Sequence, residues 1–502
     1  MNQPALKLHP DDTIAIALRD IDVGEVFDQT KLIEPIPRGH KFAVTSVKSG
    51  DKVTRYGQVI GQARLDIAPG AHVHSHNLGM ADRLNAVIHQ DTFRADPKFA
   101  DRTFDGFHRS DGKIGTRNYI GVLTSVNCSG SVARFIAEAA DKTNLLDAFP
   151  NVDGIVPIVH GTGCGMNSQG EAYDTLFRTL AGYAQNPNFG GILLIGLGCE
   201  VMQVADLVGG RPIRPDGTLR YMRIQNEGGT AATVTKGLEH VKEIAALANQ
   251  CRRQPAPISA LTIGMQCGGS DGYSGITANP ALGVASDFLV SSGGTSILSE
   301  TPEIYGAEHL LTSRAARPEL ADQLMDRISW WEDYTSRNGG EMDNNPSPGN
   351  KKGGLTTILE KSLGAVAKGG NAPLGGVYQF AEQIDTNGFV FMDSPGFDPC
   401  SVTGQIASGA NLIVFTTGRG SVSGYQPVPC IKLATNTEMF MRLEGDMDLN
   451  CGDIISDGVS LNEKGAELME VLIATASGEK TKSEKLGYGG VEFVPWQLGA
   501  TM

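Results

Sequence analysis

Four short apolar runs in this chain each lead into a glycine-bounded polar loop that carries a cysteine. Tyr119–Val126 stops at Asn127-Cys128, and Gly154–Val159 runs into His160-Gly-Thr-Gly-Cys164-Gly. Gly191–Leu197 ends at Gly198-Cys199-Glu200, and Ala260–Gly264 leads to Met265-Gln266-Cys267-Gly268-Gly269-Ser270-Asp271-Gly272. Such short runs, alternating with helical stretches such as Ser129–Ala140, read as buried strands joined by helical crossovers, which means a parallel sheet. In open α/β sheets the ligand crevice lies at the carboxyl ends of the strands. Cys128, Cys164, Cys199 and Cys267 are therefore expected at one such rim.

The start of the chain has a different texture. Thr13–Ile21, Lys41–Val47 and Lys52–Ile60 are short runs rich in β-branched residues, separated by turn signals such as Ser49-Gly50-Asp51. The expected class is α/β, with a small N-terminal β-rich module over 1–90 and a larger mixed α/β body. A polar, proline-containing stretch at 91–105 reads as a linker. Arg252-Arg253-Gln254-Pro255-Ala256-Pro257 reads as a boundary between an α/β domain at 106–254 and a C-terminal α/β domain at 255–502. Asn279-Pro280 reads as a helix start. Beyond it the mixed pattern continues to a polar, irregular tail.

Composition narrows the function. With 42 Lys+Arg against 56 Asp+Glu the chain carries a formal charge of −14, and no block of basic residues occurs. That argues against nucleic acid or an anionic membrane surface as partner. Apolar runs such as Ile192–Leu197 fall far short of the ~20 residues a membrane span needs. No signal-peptide pattern opens the sequence, and four of the 8 cysteines sit beside glycines. A reducing, cytoplasmic setting is expected. Glycine, at 63 of 502 residues, is well above the usual ~7 % and implies many loops where backbone approaches a ligand.

His72-Val-His74-Ser-His76-Asn77 is the sharpest chemical signal. On a strand, alternation would project all three imidazoles from one face, a set suited to Fe²⁺, Mn²⁺ or Zn²⁺; the competing reading is a solvated edge with a single functional histidine. The four loop cysteines could hold iron, directly or as an iron–sulfur cluster, or serve as small packing residues. Their spacing contains no C-x-x-C motif. Asp111–Asn118 precedes the first strand of the body and offers Arg117 as a bidentate carboxylate clamp. Asn345–Gly354 leads into a helix near Leu355 and places lysines at an anion-binding helix start. Thr416–Gly420 is similar in character. Each of these three could equally be a turn, and no Walker or dinucleotide fingerprint is present.

Taken together, Arg38-Gly39-His40-Lys41, His72–Asn77, Asp111–Asn118, Gly198-Cys199-Glu200, Gln266–Gly272 with Thr277–Pro280, Glu300–Glu303, Asn345–Lys361 and Thr416–Gly420 resemble the altronate/galactarate dehydratase family of sugar-acid dehydratases. The resemblance spans nearly the whole chain. It implies an N-terminal module of the SAF type, dependence on a divalent metal, most often iron with Mn²⁺ as the alternative, and loss of water from a hydroxy acid. Asp393–Pro399 and Glu492–Trp496 look more like the altronate branch, which implies conversion of D-altronate to 2-dehydro-3-deoxy-D-gluconate. Ser75 stands where the family pattern has threonine.

On this resemblance His74, His76, Lys352 and Arg117 are expected to carry catalysis. Lys41, Asn77, Asn118, Ser270, Asp271, Asn350 and Arg419 are expected to contact substrate. His72, His74, His76 and the four loop cysteines are the metal candidates. Rival readings are galactarate dehydration, sulfite elimination from sulfolactate, a non-catalytic sugar-acid sensor, and an iron–sulfur redox protein. A homodimer is expected from the frequency of two-fold assemblies.

Overall fold

The computed structural model describes residues 3–81, 93–209 and 217–502. The N-terminal module is built from short antiparallel strands. One sheet runs Ala5–Leu6, Ile14–Ala17, Lys41–Ala43, His72–Val73, and a second runs Lys52–Arg55, Gln58–Ala63, Leu78–Gly79. The run at Lys52–Ile60 is thus a hairpin rather than one strand, because Tyr56 and Gly57 both adopt positive φ (60° and 67°) and reverse the chain. Ile14, Ile16, Val53, Ile60 and Val73 close a small core that also takes in Tyr273 of the body.

In the body, Gly154–Ile158, Tyr119–Thr124, Phe189–Gly196 and Leu219–Arg223 form one parallel sheet in that order. Its inner strands are buried along their whole length, which is why they read as unbroken apolar runs. A seven-stranded parallel sheet follows, ordered Leu374–Tyr378, Gly388–Met392, Thr295–Leu298, Thr262–Cys267, Leu412–Thr417, Cys430–Ala434, Leu449–Asn450. One apolar cluster joins Leu123, Val156 and Ile192 of the first sheet with Ile297, Val390 and Ile413 of the second. Between them, Gly182 on the helix Glu171–Gln185 lies so close to Ala407 that a Cβ there would stand 2.2 Å from the Ala407 carbonyl oxygen.

Two segments differ from the sequence expectation. Thr103–Asp105, inside the expected linker, begin a strand (Thr103–His108) that pairs with Arg253–Pro257, the expected boundary. The prolines fit there because Arg253–Pro257 is an edge strand. Residues 91 and 92 of that linker lie outside the described residues. The helix at Asn279-Pro280 is Ala278–Ser291, so its start is Thr277 and the proline lies inside the first turn. Among the described residues no helix is long and apolar enough to cross a membrane.

Candidate active site

The N-terminal module docks on the larger sheet through a fully buried ion cluster. Glu360, at the start of the helix Ile358–Val366, receives Arg55 Nη1 at 2.6 Å and Lys41 Nζ at 3.0 Å. Lys41 also donates to Gly354 O (2.7 Å) and Arg55 to Gly272 O (2.6 Å). Burial alone would raise the Glu360 carboxyl, but Lys41 and Arg55 outweigh it and hold the group at about 2. Backbones meet closely here: a Cβ on Gly272 would stand 2.1 Å from Gly39 O, and one on Gly354 2.3 Å from the same oxygen.

This seam gathers four histidines. The strand ends at Val73, and residues 74–77 form a turn in which Asn77 Oδ1 accepts from His74 N (2.9 Å) and Asn77 Nδ2 donates to His72 O (2.9 Å). Strand alternation is therefore not what brings the imidazoles together; an Asx-type turn is. His72 lies 5.5 Å from His74 and 5.7 Å from His76 between ring centroids. Strand pairing adds His40, which precedes Lys41–Ala43; its ring is 5.2 Å from those of both His72 and His74. Asn77, expected to contact substrate, is buried and serves as the staple of this turn.

Backbone carbonyls from the facing loop orient the rings. His74 Nε2 lies 2.9 Å from Lys351 O, and His40 Nε2 lies 3.2 Å from Lys352 O. A carbonyl only accepts, so both Nε2 atoms carry the hydrogen and both Nδ1 atoms present lone pairs. His40 Nδ1 then faces His72 Nε2 at 3.0 Å. Burial first, and then the neighbouring imidazoles, push His72 down to about 3; burial likewise lowers His40 and His74. Neutral imidazoles whose second nitrogen is tied to a backbone carbonyl form the donor set that binds a divalent ion. His40 and His74 have this arrangement, although among the described residues the trio of ligand atoms lying within 4.8 Å of one another is Cys267, Glu300 and Glu303.

The same loop carries the expected substrate contacts. Asn350, inside the short helix Pro348–Lys352, completes a capping box with the N-cap Ser347 and donates Nδ2 to Ser270 O at 2.9 Å. Ser270 Oγ is buried with no hydrogen-bond partner. Asp271 is buried and receives Thr435 Oγ1 (3.0 Å) and Asn436 Nδ2 (3.1 Å). Burial raises its carboxyl against these hydrogen bonds. Arg419 is exposed, with its backbone N on Gly269 O at 2.9 Å, and Lys352 is exposed at the mouth. Lys41, in contrast, is wholly consumed by Glu360 and Gly354.

Arg117 and Asn118 lie elsewhere. Arg117 is 2 % exposed and grips Glu484 through Nε (2.6 Å) and Nη2 (2.9 Å), while Nη1 and Nη2 also reach the carbonyls of Thr116, Thr475 and Glu479. It is a structural clamp within the body and not a substrate ligand. Asn118 is fully buried on Asn151 O and Ala248 O. Arg117→Met should therefore lower stability by about 3–5 kcal/mol, the cost of stranding a buried carboxylate, while KM of the folded enzyme stays unchanged. Chemical unfolding and steady-state kinetics on the same preparation check both halves.

Cys267 also parts from the other loop cysteines. It is buried on the larger sheet beside Glu300 and Glu303, all three ligand atoms lying within 4.8 Å of one another. An ammonium already occupies the place a cation would take: Lys368 Nζ is 2.7 Å from Glu300 Oε2 and 2.9 Å from Cys267 Sγ. Lys361 Nζ takes Glu303 Oε1 at 2.6 Å and Asn345 Oδ1 at 2.9 Å. Burial pushes the Cys267 thiol up to about 12, so Lys368 is balanced by Glu300 rather than by a thiolate. Glu300 itself sits at φ 70°, a left-handed conformation costly for a residue other than glycine. Burial raises the carboxyls of both Glu300 and nearby Asp398. The sequence reading missed this cluster; its one local signal was the polar string Glu300-Thr-Pro-Glu303 immediately after an apolar strand.

The chain thus joins a parallel α/β body to a β module clamped over strand-end loops, with a set of imidazoles at the seam between them. Residues 3–81 match the altronate/galactarate dehydratase SAF domain, residues 106–249 the D-galactarate dehydratase/altronate hydrolase second domain, and residues 258–501 the D-galactarate/altronate dehydratase C-terminal domain. The chain belongs to this family and is a hydro-lyase. It is 34 % identical to the altronate dehydratase of Bacillus subtilis over 492 residues, covering 96 % of each chain. It is 36 % identical to the galactarate dehydratase (L-threo-forming) of Escherichia coli over 503 residues, 96 % of this chain and 94 % of that one. The β subunit of (2R)-sulfolactate sulfo-lyase from Chromohalobacter salexigens is 32 % identical over 401 residues, 79 % of this chain and 98 % of that one.

Proposed function

We propose that this enzyme removes water from D-altronate to give 2-dehydro-3-deoxy-D-gluconate, using a divalent metal, Fe²⁺ first and Mn²⁺ second, at the histidine seam. The observation behind the metal reading is the pair of imidazoles, His40 and His74, whose Nε2–H groups are tied to the Lys352 and Lys351 carbonyls, which turns their Nδ1 atoms to His72 Nε2 (3.0 Å) and Ser75 Oγ (3.1 Å), contacts that a bound ion would replace. When bound, such an ion supplies Lewis-acid stabilisation of the carboxylate and of the enediolate formed from it, an effect worth several kcal/mol.

The protein's own groups divide the remaining work. Arg419 and Lys352, both exposed at the seam, hold the substrate carboxylate in place of Arg117. His76, the exposed imidazole beside His72, takes the proton from C2. Burial of Lys41, Arg55 and Glu360 fixes the module against the body, so bulk water is kept from the loop that bears Ser270 and Asp271. Protonation of the departing C3 hydroxyl completes the reaction, and the enol tautomerises to the keto acid unaided.

Altronate is preferred over galactarate on the two branch-like stretches, which the fold brings near each other. Asp393 Oδ1 accepts from Trp331 Nε1 at 2.8 Å, and Trp331 stacks on Trp496 at 5.3 Å. Galactarate is the second reading, favoured by the 36 % identity to an enzyme named for it. Enzyme handled anaerobically with Fe²⁺ and reductant should form 2-keto-3-deoxy acid from D-altronate, and EDTA should remove at least about 90 % of the rate. Turnover of galactarate or sulfolactate in its place overturns the substrate assignment, and EDTA-resistant turnover overturns the metal.

A further inference from the structure

The eight cysteines divide sharply by environment. Cys267, Cys400, Cys430 and Cys451 are buried and Cys251 is intermediate, whereas Cys128, Cys164 and Cys199 are exposed. An unpaired cysteine is ordinarily among the most buried residue types. The three exceptions all follow the carboxyl ends of three adjacent parallel strands, Tyr119–Thr124, Gly154–Ile158 and Phe189–Gly196.

The loops that carry them are stitched into one rim. Asn127 N donates to Thr162 O at 2.9 Å, joining the first loop to the second. Gly163 O accepts from Val201 N and Met202 N at 3.1 and 3.0 Å, joining the second to the third. Glu200 closes the ring, its Oε1 on Ser125 Oγ (2.8 Å) and its Oε2 on Gly198 N (2.5 Å). Buried His160 fixes the second loop to the first strand, Nε2 on Thr124 O at 3.0 Å. Gly163, Gly165 and Gly198, the immediate neighbours of Cys164 and Cys199, hold φ of 98°, 65° and 129°. A Cβ on Gly163 would meet Ser125 O at 2.2 Å. The buried polar framework thus joins the three loops into one rim on which all three cysteines are exposed, Cys199 Sγ receiving Gln225 Nε2 at 3.4 Å.

We infer that Cys128, Cys164 and Cys199 form the three-thiolate cradle of an iron–sulfur cluster, a [4Fe–4S] cubane with one iron left without a protein thiolate. Two features choose a cluster over a single ion. The three thiols follow three neighbouring strands and are not packed as closely as a single ion's shell requires, since among the described residues the trio of ligand atoms within 4.8 Å is the separate Cys267 group. Glycines on both sides of Cys164 let backbone approach the inorganic sulfides, whose hydrogen bonds tune such clusters. Its residues follow strands of the four-stranded sheet and include none of the histidines of the seam, and the inference does not depend on which acid the enzyme dehydrates.

Anaerobic reconstitution of the full chain with Fe²⁺, sulfide and thiol should give about four irons and four acid-labile sulfides per chain, with absorbance near ~400 nm. Cys128→Ala, Cys164→Ala and Cys199→Ala should each lose at least half of the sulfide and the triple variant nearly all of it, while Cys251→Ala keeps it. A second readout needs no variant: alkylation followed by mass mapping should label these three cysteines in the apo protein and spare them after reconstitution. Iron bound without sulfide, sulfide retained by the triple variant, or equal labelling before and after reconstitution each overturns the inference. Loss of turnover in His76→Ala with sulfide content intact would separate this site from the histidine reading.

Discussion

Glu360→Gln should be among the most damaging single changes in the protein, lowering stability by about 3–5 kcal/mol and turnover with it. The substitution preserves shape, but it leaves Lys41 and Arg55 buried beside a neutral amide, 0 % and 1 % exposed. Lys41→Met should cost less. Burial already pulls the Lys41 ammonium down, and Arg55 still neutralises Glu360. The pH dependence follows from the Glu360 carboxyl, at about 2 in the folded protein against about 4.3 unfolded. A depressed carboxyl contributes stability that is complete above the unfolded value and is lost as pH falls through the folded one. The seam should therefore hold across neutral pH and weaken between about pH 4 and 2. Urea unfolding midpoints of wild type, Glu360→Gln and Lys41→Met at pH 7 and pH 4 test the ordering; equal midpoints for Glu360→Gln and wild type would refute it.

The parallel sheets were legible because their central strands are buried on both faces and read as continuous apolar runs, ended by glycine where the chain turns. What reads poorly is anything set by partners far along the chain. Arg117 beside Gly115 and Asn118 looks alike whether it awaits a substrate or a carboxylate, and its partner Glu484 is 367 positions away. His40 was part of a recognised string but not a metal candidate, because only the pairing of Phe42 with His72 brings it to the others. The histidine string did carry its own clustering, though by a turn stapled by Asn77 and not by strand alternation. Four cysteines at strand ends were expected together; two sheets divide them, three to one. The Glu300–Lys368 cluster had only the string Glu300–Glu303 as a local signature, since its other members come from a distant strand end and a helix terminus.

The burial pattern explains why charge is so differently used at the two ends of this loop system. Behind the loop, Lys361 and Lys368 are matched to Glu303 and Glu300 and sealed from water, an arrangement that fixes geometry rather than one that exchanges ions. In front, Lys351 and Lys352 give their carbonyls to the imidazoles; Lys352 is exposed, and burial raises the Asp343 carboxyl while the charge of Lys351 pulls it down.

His76→Ala is the substitution that most directly tests the seam as the centre of chemistry. His76 is exposed and, among the described residues, its one ring neighbour is His72 at 5.7 Å, so its loss should stay within about 0.5 kcal/mol of wild-type stability, as for ordinary surface changes. Turnover should nonetheless fall by at least about 10³-fold, since removing general acid–base catalysis costs 10²–10⁴. His40→Ala should behave differently. It removes a ring oriented by Lys352 O and facing His72 Nε2, so it should weaken metal binding at least tenfold, the scale seen when the partners around a metal ligand are lost, and excess Fe²⁺ should restore part of the rate. Metal titration followed by calorimetry and kcat at saturating metal separates the two effects. Near-normal turnover in His76→Ala would move the chemistry away from this residue, and unaltered metal affinity in His40→Ala would remove the imidazoles from the metal site.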